Sequence, residues 1–343
     1  MTYRTQEFVP STIAEDITFG IEIECFIPRD ARAPYGGIVY DRRVGYHQTG
    51  NFDGRNFPGW SATRDASLET DLPNYWPVEF VSPVLKGQNG LEQIRKFFAW
   101  LESINARVNR TCGQHVHVGV ESGSGSQDAD EQAAWVANLI GLTSFYECAL
   151  FAMTGSRYRD NNYYCRSIKS DGHRNQYKRV NQDVKNAASE QKYNTFRETS
   201  YGSSKFTALN LTSVFTNRTV EFRLWAGSTN ITKALMHISV SLGLAELARR
   251  RNHNFTSEET PVRRSFRYSK AEGQVEKLMQ GLGFIRTTRS APACGFFGTY
   301  DELNKIRKEA RRLARKFATP PNSNRPSQSE SIRTYGPTGE RLS

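Results

Sequence analysis

Three predicted strands carry ionisable residues two positions apart, and this spacing limits the fold more than any other feature. Side chains at i and i+2 share one face of a strand. Glu22 pairs in this way with Glu24 in the run 17–27, His115 with His117 in 114–120, and Glu221 with Arg223 in 219–225. A fourth run, 76–81, carries Glu79 between Val78 and Phe80. A half-buried strand ordinarily alternates apolar residues with small or neutral polar ones. Adjacent carboxylates repel unless a cation lies between them. Taken singly, each element has a plainer explanation: a solvated strand face, structural histidines, surface partners worth little. Their joint occurrence, with Gly20 ahead of the first pair and Asn210 ahead of the last, points to one sheet face that carries chemistry.

The rest of the pattern places these strands. Leu91, Ile94, Phe97, Phe98, Leu101 and Ile104 recur at helical spacing after a start near Asn89. Asp128 or Asp130 caps an apolar helix running to about Met153. A strand over 207–214 is expected to pair with 219–225 through a turn at Asn217-Arg218. Helices follow over 233–250 and 300–317, the second basic, with Leu303, Ile306, Ala310, Leu313 and Phe317 on one face. Residues 31–62 read as a long loop, Gly123 to Gln127 as a flexible link, 156–200 as a polar basic stretch, and 319–343 as a disordered tail. The order lacks βαβ alternation. An α+β fold with a mostly antiparallel sheet and flanking helices is expected.

Charge narrows the surroundings. The formal net charge is +11 over 343 residues, which suggests a polyanion partner. Residues 157–197 contribute +6, 261–316 contribute +9 and the tail +1, leaving the remainder at −5. The predicted strands therefore belong to a mildly acidic part. Hydrophobic residues at 37% exclude a wholly disordered chain. No apolar stretch of about 18 residues is expected to span a membrane, and no secretory signal is expected at 1–16. The five scattered cysteines form no CxxC pair, so reduced thiols in the cytoplasm are the plain reading.

Carboxylates mixed with imidazole suit Mg²⁺, with Mn²⁺ as an alternative. Arg223 supplies a fixed cation for a transferring phosphate. Together these serve phosphoryl transfer from a nucleotide. No GxxxxGK[ST] occurs, which excludes a P-loop, and the Gly123-Ser-Gly-Ser run reads as a linker.

Six motifs in order resemble the amidoligase family: Gly20-Ile-Glu22-Ile-Glu24, Asp65-Ala-Ser67, Glu79-Phe-Val-Ser82-Pro83, Gly113-Gln-His115-Val-His117, Ala208-Leu-Asn210 and Val220-Glu221-Phe-Arg223. This family belongs to the carboxylate–amine ligases related to glutamine synthetase and glutamate–cysteine ligase. The resemblance implies an ATP-dependent ligase that forms an amide through an acyl phosphate, on a sheet of that fold. It implies a catalytic domain over 1–260 with an insertion near 31–62, a basic helical extension over 261–318 and the tail. Glu22, Glu24, Glu79, Glu221, His115 and His117 become metal ligands. Asp65 orients the amine or takes its proton, Asn210 binds substrate or phosphate, and Arg223 neutralises the γ-phosphate. Arg166 and Lys205 are candidates for holding ATP phosphates or a substrate carboxylate. The connection containing Gly36 to Trp60 is longer than the family's usual one.

Other readings use some of the same residues. His115-x-His117-xxx-Glu121 has cupin metal spacing, although Asn109 and Asp128 stand where that pattern has glycines. Cys112, His115 and His117 suggest zinc, without a second Cys pair to close a structural site. A nucleic-acid-binding protein without catalysis would use 300–317 and Tyr158, Tyr163 and Tyr164 among their basic neighbours. The substrates, a carboxylate and an amine, are open in size; an anionic peptide, protein or other macromolecule would be recruited by the basic segments.

Overall fold

The computed structural model describes residues 13–33, 40–41, 45–46, 55–65, 67–70, 72–156, 158–159, 162–256, 271–285 and 300–318. In chain order the strands and α-helices are β1 (Thr18–Pro28), β2 (Tyr40–Asp41), β3 (Gly45–Tyr46), β4 (Ser61–Thr63), β5 (Tyr75–Val81), β6 (Leu85–Lys86), α1 (Gly87–Ser103), β7 (Gly113–Gly119), α2 (Val120–Ser124), α3 (Ala129–Met153), α4 (Arg174–Asn186), α5 (Lys192–Ser200), β8 (Leu209–Asn210), α6 (Ser213–Thr216), β9 (Thr219–Ala226), α7 (Ile231–Arg250), α8 (Ala271–Gly281) and α9 (Tyr300–Ala318). The main sheet has the order β4-β5-β1-β7-β9-β8, with β6 paired to the start of β1. Every strand pair in it is antiparallel, so the expected α+β architecture holds.

The period of two sorts the residues of β1. Phe19, Ile21, Ile23 and Cys25 are buried on the side covered by helices, which leaves Gly20, Glu22 and Glu24 on the opposite face. α1 lies under the sheet through Leu91, Ile94, Phe97 and Leu101, all fully buried. The Phe97 ring stacks on Trp60 at 3.7 Å and meets Phe80 of β5 edge-on at 5.2 Å. Trp225 of β9 donates from Nε1 to Ser241 Oγ of α7 (3.0 Å), fastening that helix to the same side.

α3 and α7 correct the expectation about membrane-length segments. Each contains an 18-residue window apolar enough to cross a membrane by length and composition, and 83% of each window is buried in the fold. They are central core helices, apolar all round because neighbours surround them. Asp128 is the α3 cap, accepting from the N–H groups of Asp130 and Glu131 (2.8 and 2.9 Å).

Several segments expected to be irregular are ordered. Gly123 lies within α2, where a Cβ would come within 2.5 Å of the Trp135 ring; it serves close packing and not a flexible link. The 156–200 stretch contains α4 and α5. Tyr177, Val180, Asn181 and Val184 form a buried helical stripe on α4, hidden in the sequence by ten basic residues over 157–197. The strand expected over 207–214 shrinks to β8. Asn210 Oδ1 accepts from Thr212 N and Oγ1 (both 2.8 Å), which bends the chain into α6. Among the described residues of 31–62, β2 pairs with β3, and Ser61–Thr63 joins the main sheet as β4. α8 and α9 pack on α3 and α7, with Arg311 and Arg315 of α9 paired to Glu276 and Glu272 of α8 (both 2.8 Å). The tail over 319–343 lies outside the described residues.

Candidate active site

Register brings the predicted residues together on the face away from the helices. Glu22 stands opposite His115 and Gly20 opposite His117 across β1 and β7. Glu24 stands opposite Glu79 of β5. Glu221 of β9 lies opposite His117 on one side and Asn210 on the other. Glu24, His115, Asn210 and Glu221 are all buried.

The contacts are those of one connected cluster. His115 Nδ1 is 2.6 Å from Glu22 Oε2 and 3.4 Å from Glu221 Oε1, while its Nε2 is 3.6 Å from Glu24 Oε1. His117 Nε2 lies 3.1 Å from Glu22 Oε1 and 3.8 Å from Glu221 Oε1, with Nδ1 held 2.9 Å from Thr219 Oγ1. Arg223 Nη1 reaches Glu221 Oε1 at 2.5 Å. Thr63 Oγ1 donates to Glu79 (3.4 Å), and Ser67 N donates to Asp65 Oδ1 (2.7 Å), turning the Asp-x-Ser segment back on itself.

A β-bulge shapes the β9 side. Gln114 pairs with Trp225 and Val116 with Phe222, so two steps on β7 face three on β9. The extra residue lets Phe222 and Trp225 both turn to the core, where both are fully buried. The carbonyls at the bulge need other donors. Arg159, 3% exposed, supplies them: Nη2 donates to Arg223 O (2.6 Å) and Nε to Leu224 O (3.2 Å). Beside it, Gly113 donates its N–H to Glu24 Oε2. A Cβ at Gly113 would sit 3.0 Å from His115 Nε2 and 3.2 Å from both Arg159 Nη2 and Glu24 Oε2.

The charges in this cluster act strongly on one another. Burial raises the Glu22 carboxyl, but hydrogen bonds from His115 and His117 outweigh it and hold the group well below the ordinary range. Burial, and then the charges of Glu22, Glu24 and Asp65, push Glu79 up to about 8. Burial lowers Arg223, yet Glu221, Glu22 and Glu24 together keep it above its ordinary value. Three overlapping groups bring ligand atoms within 4.8 Å of one another: Glu22–His117–Glu221, Glu22–Glu79–His115 and Glu24–Asp65–Glu79. Oxygen-rich groups of this kind suit hard divalent ions.

A family model described as "putative amidoligase enzyme" matches residues 15–245, more than half of the chain. The chain belongs to this amidoligase family. Membership gives an amide-forming ligase as its class of activity. No curated protein matches the chain at a significant level. The family match runs from before β1 into α7. It therefore takes in the whole main sheet and the helical segment over 156–200, a stretch where the motifs alone are weak.

Within this amidoligase sheet the predicted residues divide into three kinds. Glu22, Glu24, Glu79, Glu221, His115, His117, Asp65 and Arg223 share the cluster, and Asp65 joins it as a further possible ligand. Asn210 departs from the substrate-binding role. Its Nδ2 donates to Glu221 Oε2 (2.7 Å) and Ser213 Oγ (3.1 Å), and its Oδ1 accepts twice from Thr212. With the amide fully used, Asn210 positions Glu221. Arg166 and Lys205 stand outside the cluster, Arg166 over the Tyr163 ring at 4.1 Å and Lys205 over Phe206 at 5.2 Å. That platform joins the site where Arg223 Nε donates to Tyr164 O (3.4 Å).

The rival metal sets do not assemble among the described residues. Glu121 is exposed on α2 and bonded to Gln127, so the cupin spacing ends on a helix. Cys112 is fully buried with its thiol pushed up by desolvation, outside all three ligand groups. Sequence reasoning missed Arg159, Gly113 as a close-approach position, Ser213 and Thr219. Nothing next to Arg159 marks it. Only the β9 pattern, in which Phe222 and Trp225 lie three apart, hints at a bulge needing a donor.

Proposed function

We propose that this face joins a carboxylate to an amine in an ATP-dependent reaction, through an acyl phosphate, on a sheet of the glutamine synthetase and glutamate–cysteine ligase type. The observation that carries the reading is the three overlapping ligand groups with Arg223 beside Glu221. Mg²⁺, or Mn²⁺, fits this donor set and supplies charge to screen triphosphate oxygens when bound. Glu22, Glu24, Glu79, Glu221, His115 and His117 would hold it.

A substrate carboxylate oxygen attacks the γ-phosphorus, and the bond from that phosphorus to the β–γ bridging oxygen breaks, releasing ADP. Arg223 faces the charge on the transferring group. The amine nitrogen then attacks the acyl carbon, the carbon–oxygen bond to phosphate breaks, and phosphate leaves. Asp65 takes the proton that the amine must lose. Arg166, set over the exposed Tyr163 ring, and Lys205, set over the half-buried Phe206 ring, favour a nucleotide or an anionic acyl substrate, a peptide or protein included. A cytoplasmic, ATP-rich setting suits this chemistry.

The test is coupled ADP release over panels of carboxylates and amines with Mg²⁺. Glu22→Gln and Arg223→Ala are expected to lose at least a hundredfold in kcat. Unchanged activity in both would reject the site, and AMP in place of ADP would reject the acyl-phosphate route.

A further inference from the structure

The two histidines of the acidic face are held by different kinds of partner. His115 Nδ1 stands 2.6 Å from Glu22 Oε2. A carboxylate only accepts, so this nitrogen carries the hydrogen. His115 Nε2 faces Glu24 Oε1 at 3.6 Å, beyond hydrogen-bond distance. In His117 it is Nε2 that faces carboxylates, Glu22 Oε1 at 3.1 Å and Glu221 Oε1 at 3.8 Å. Its Nδ1 meets a hydroxyl instead, Thr219 Oγ1 at 2.9 Å.

The strands bring that hydroxyl to the ring. Thr219 opens β9, two residues before Glu221 on the same face. Gly119 stands opposite Thr219, and His117 opposite Glu221. His117 and Thr219 are therefore diagonal neighbours across β7 and β9, a separation that a ring side chain spans. A β-branched side chain is stiff at χ1, so the hydroxyl has a fixed aim. Among the described residues it makes no other hydrogen bond.

A hydroxyl can donate to Nδ1 or accept from it. The ligand group decides between the two. Atoms that share one divalent ion lie about 3–3.6 Å apart, given bonds of about 2.0–2.2 Å. His117 Nε2 and Glu22 Oε1, at 3.1 Å, have this spacing, and with Glu221 they form one ligand group. A nitrogen that gives its lone pair to an ion carries no hydrogen, so the hydrogen of the ring lies on Nδ1. We propose that Thr219 is the positioning residue of this group: its hydroxyl accepts Nδ1–H of His117 and so fixes the tautomer that leaves Nε2 open between Glu22 and Glu221. The proposal rests on the ion-binding reading of the face. It also separates the two histidines. His115 takes its tautomer from Glu22, a member of the ligand set, and His117 takes its own from a neutral group outside that set.

The test uses the full chain and Mn²⁺ alone, with binding read by electron paramagnetic resonance. Thr219→Val keeps the branched shape and removes the acceptor, while Thr219→Ser keeps the hydroxyl. Thr219→Val is expected to bind Mn²⁺ about ten- to a hundredfold more weakly than the unaltered chain, and Thr219→Ser to recover most of the affinity. In Mg²⁺-saturated protein, long-range proton–nitrogen NMR of the histidine rings should place the His117 hydrogen on Nδ1. Unaltered Mn²⁺ affinity in a folded Thr219→Val, an equal loss in Thr219→Ser, or a hydrogen on Nε2 of His117 in the Mg²⁺-saturated chain would each overturn the proposal and leave the ligase reading in place. No Mn²⁺ binding by the unaltered chain would overturn the ion-binding reading, and this proposal with it. Should Thr219→Val fail to fold, the spectrum of the unaltered chain decides.

Discussion

Gly113→Ala tests the packing of the acidic face with one methyl group. The new Cβ would stand 3.0 Å from His115 Nε2 and 3.2 Å from Glu24 Oε2 and Arg159 Nη2. Ordinary contact begins near 3.4 Å, so each neighbour must give by a few tenths of an ångström. All three are buried, and His115 is further held by Glu22 and Arg159 by two carbonyls. The displacement therefore falls on the ligand atoms. A shift of about 1 Å costs on the order of a hundredfold in rate, which scales to about three- to tenfold here. Global stability should change little, because alanine in a strand recovers about 0.5–1 kcal/mol of backbone entropy relative to glycine. The assay pairs Mn²⁺ binding by electron paramagnetic resonance with a urea melt, so no substrate need be known. Gly227→Ala is the control: its Cβ would lie 2.5 Å from Cys112 Cβ and 3.0 Å from its carbonyl, and it should lose stability. Unaltered Mn²⁺ affinity in a stably folded Gly113→Ala would refute the reasoning.

Asn210→Leu removes the 2.7 Å donor to Glu221, a carboxylate 2% exposed; it should cost about 1–3 kcal/mol in urea unfolding and weaken Mg²⁺ binding, whereas retained affinity would show that Glu221 needs no such support. Glu79, near 8 in the folded chain against 4.5 unfolded, binds an extra proton on folding, so its stabilising contribution is full below 4.5 and lost as pH rises through 8. Metal-free thermal stability should therefore fall over that window, by at most about 1.4 kcal/mol per pH unit, while the gain on adding Mg²⁺ should grow; parallel melting curves with and without Mg²⁺ across this range would contradict it. Arg166→Ala with Lys205→Ala should raise KM for the nucleotide or acyl substrate about tenfold, and Arg312→Ala with Arg315→Ala should not, since Arg312 pairs with Glu309 and Arg315 with Glu272.

Much of the sheet face is legible because the period of two is a local property. Glu22 with Glu24, and His115 with His117, can be assigned to a common face from spacing alone. Which face meets which strand cannot, because Glu24 opposite Glu79 depends on register across a separation that loops decide. The 156–200 helices were obscured for another reason. On α4 the apolar stripe is narrow, and surface Lys and Arg dilute it until tertiary packing on α3 supplies the missing evidence. The same dilution explains the charge. α9 has Asp301 and Glu302 in its first turn and Arg315 and Lys316 in its last, an order that suits the helix dipole. The positive charge at the end of α9 thus has a structural use.

The local rule fails in one strand, and it fails at the site. Strict alternation would place Phe222 and Trp225 on opposite faces; the bulge places both in the core. That choice buries two large rings and leaves the carbonyls of Arg223 and Leu224 to the guanidinium of Arg159. Arg159 is the residue that serves both the buried rings and the bulge carbonyls, yet it comes from the segment after α3, 64 and 65 residues before the two carbonyls it meets. A sequence argument built on spacing finds the groups that would meet substrate, because those groups repeat along a strand. It does not find the residue that lets an irregular strand present them, since that residue answers to backbone atoms whose exposure only the folded register creates.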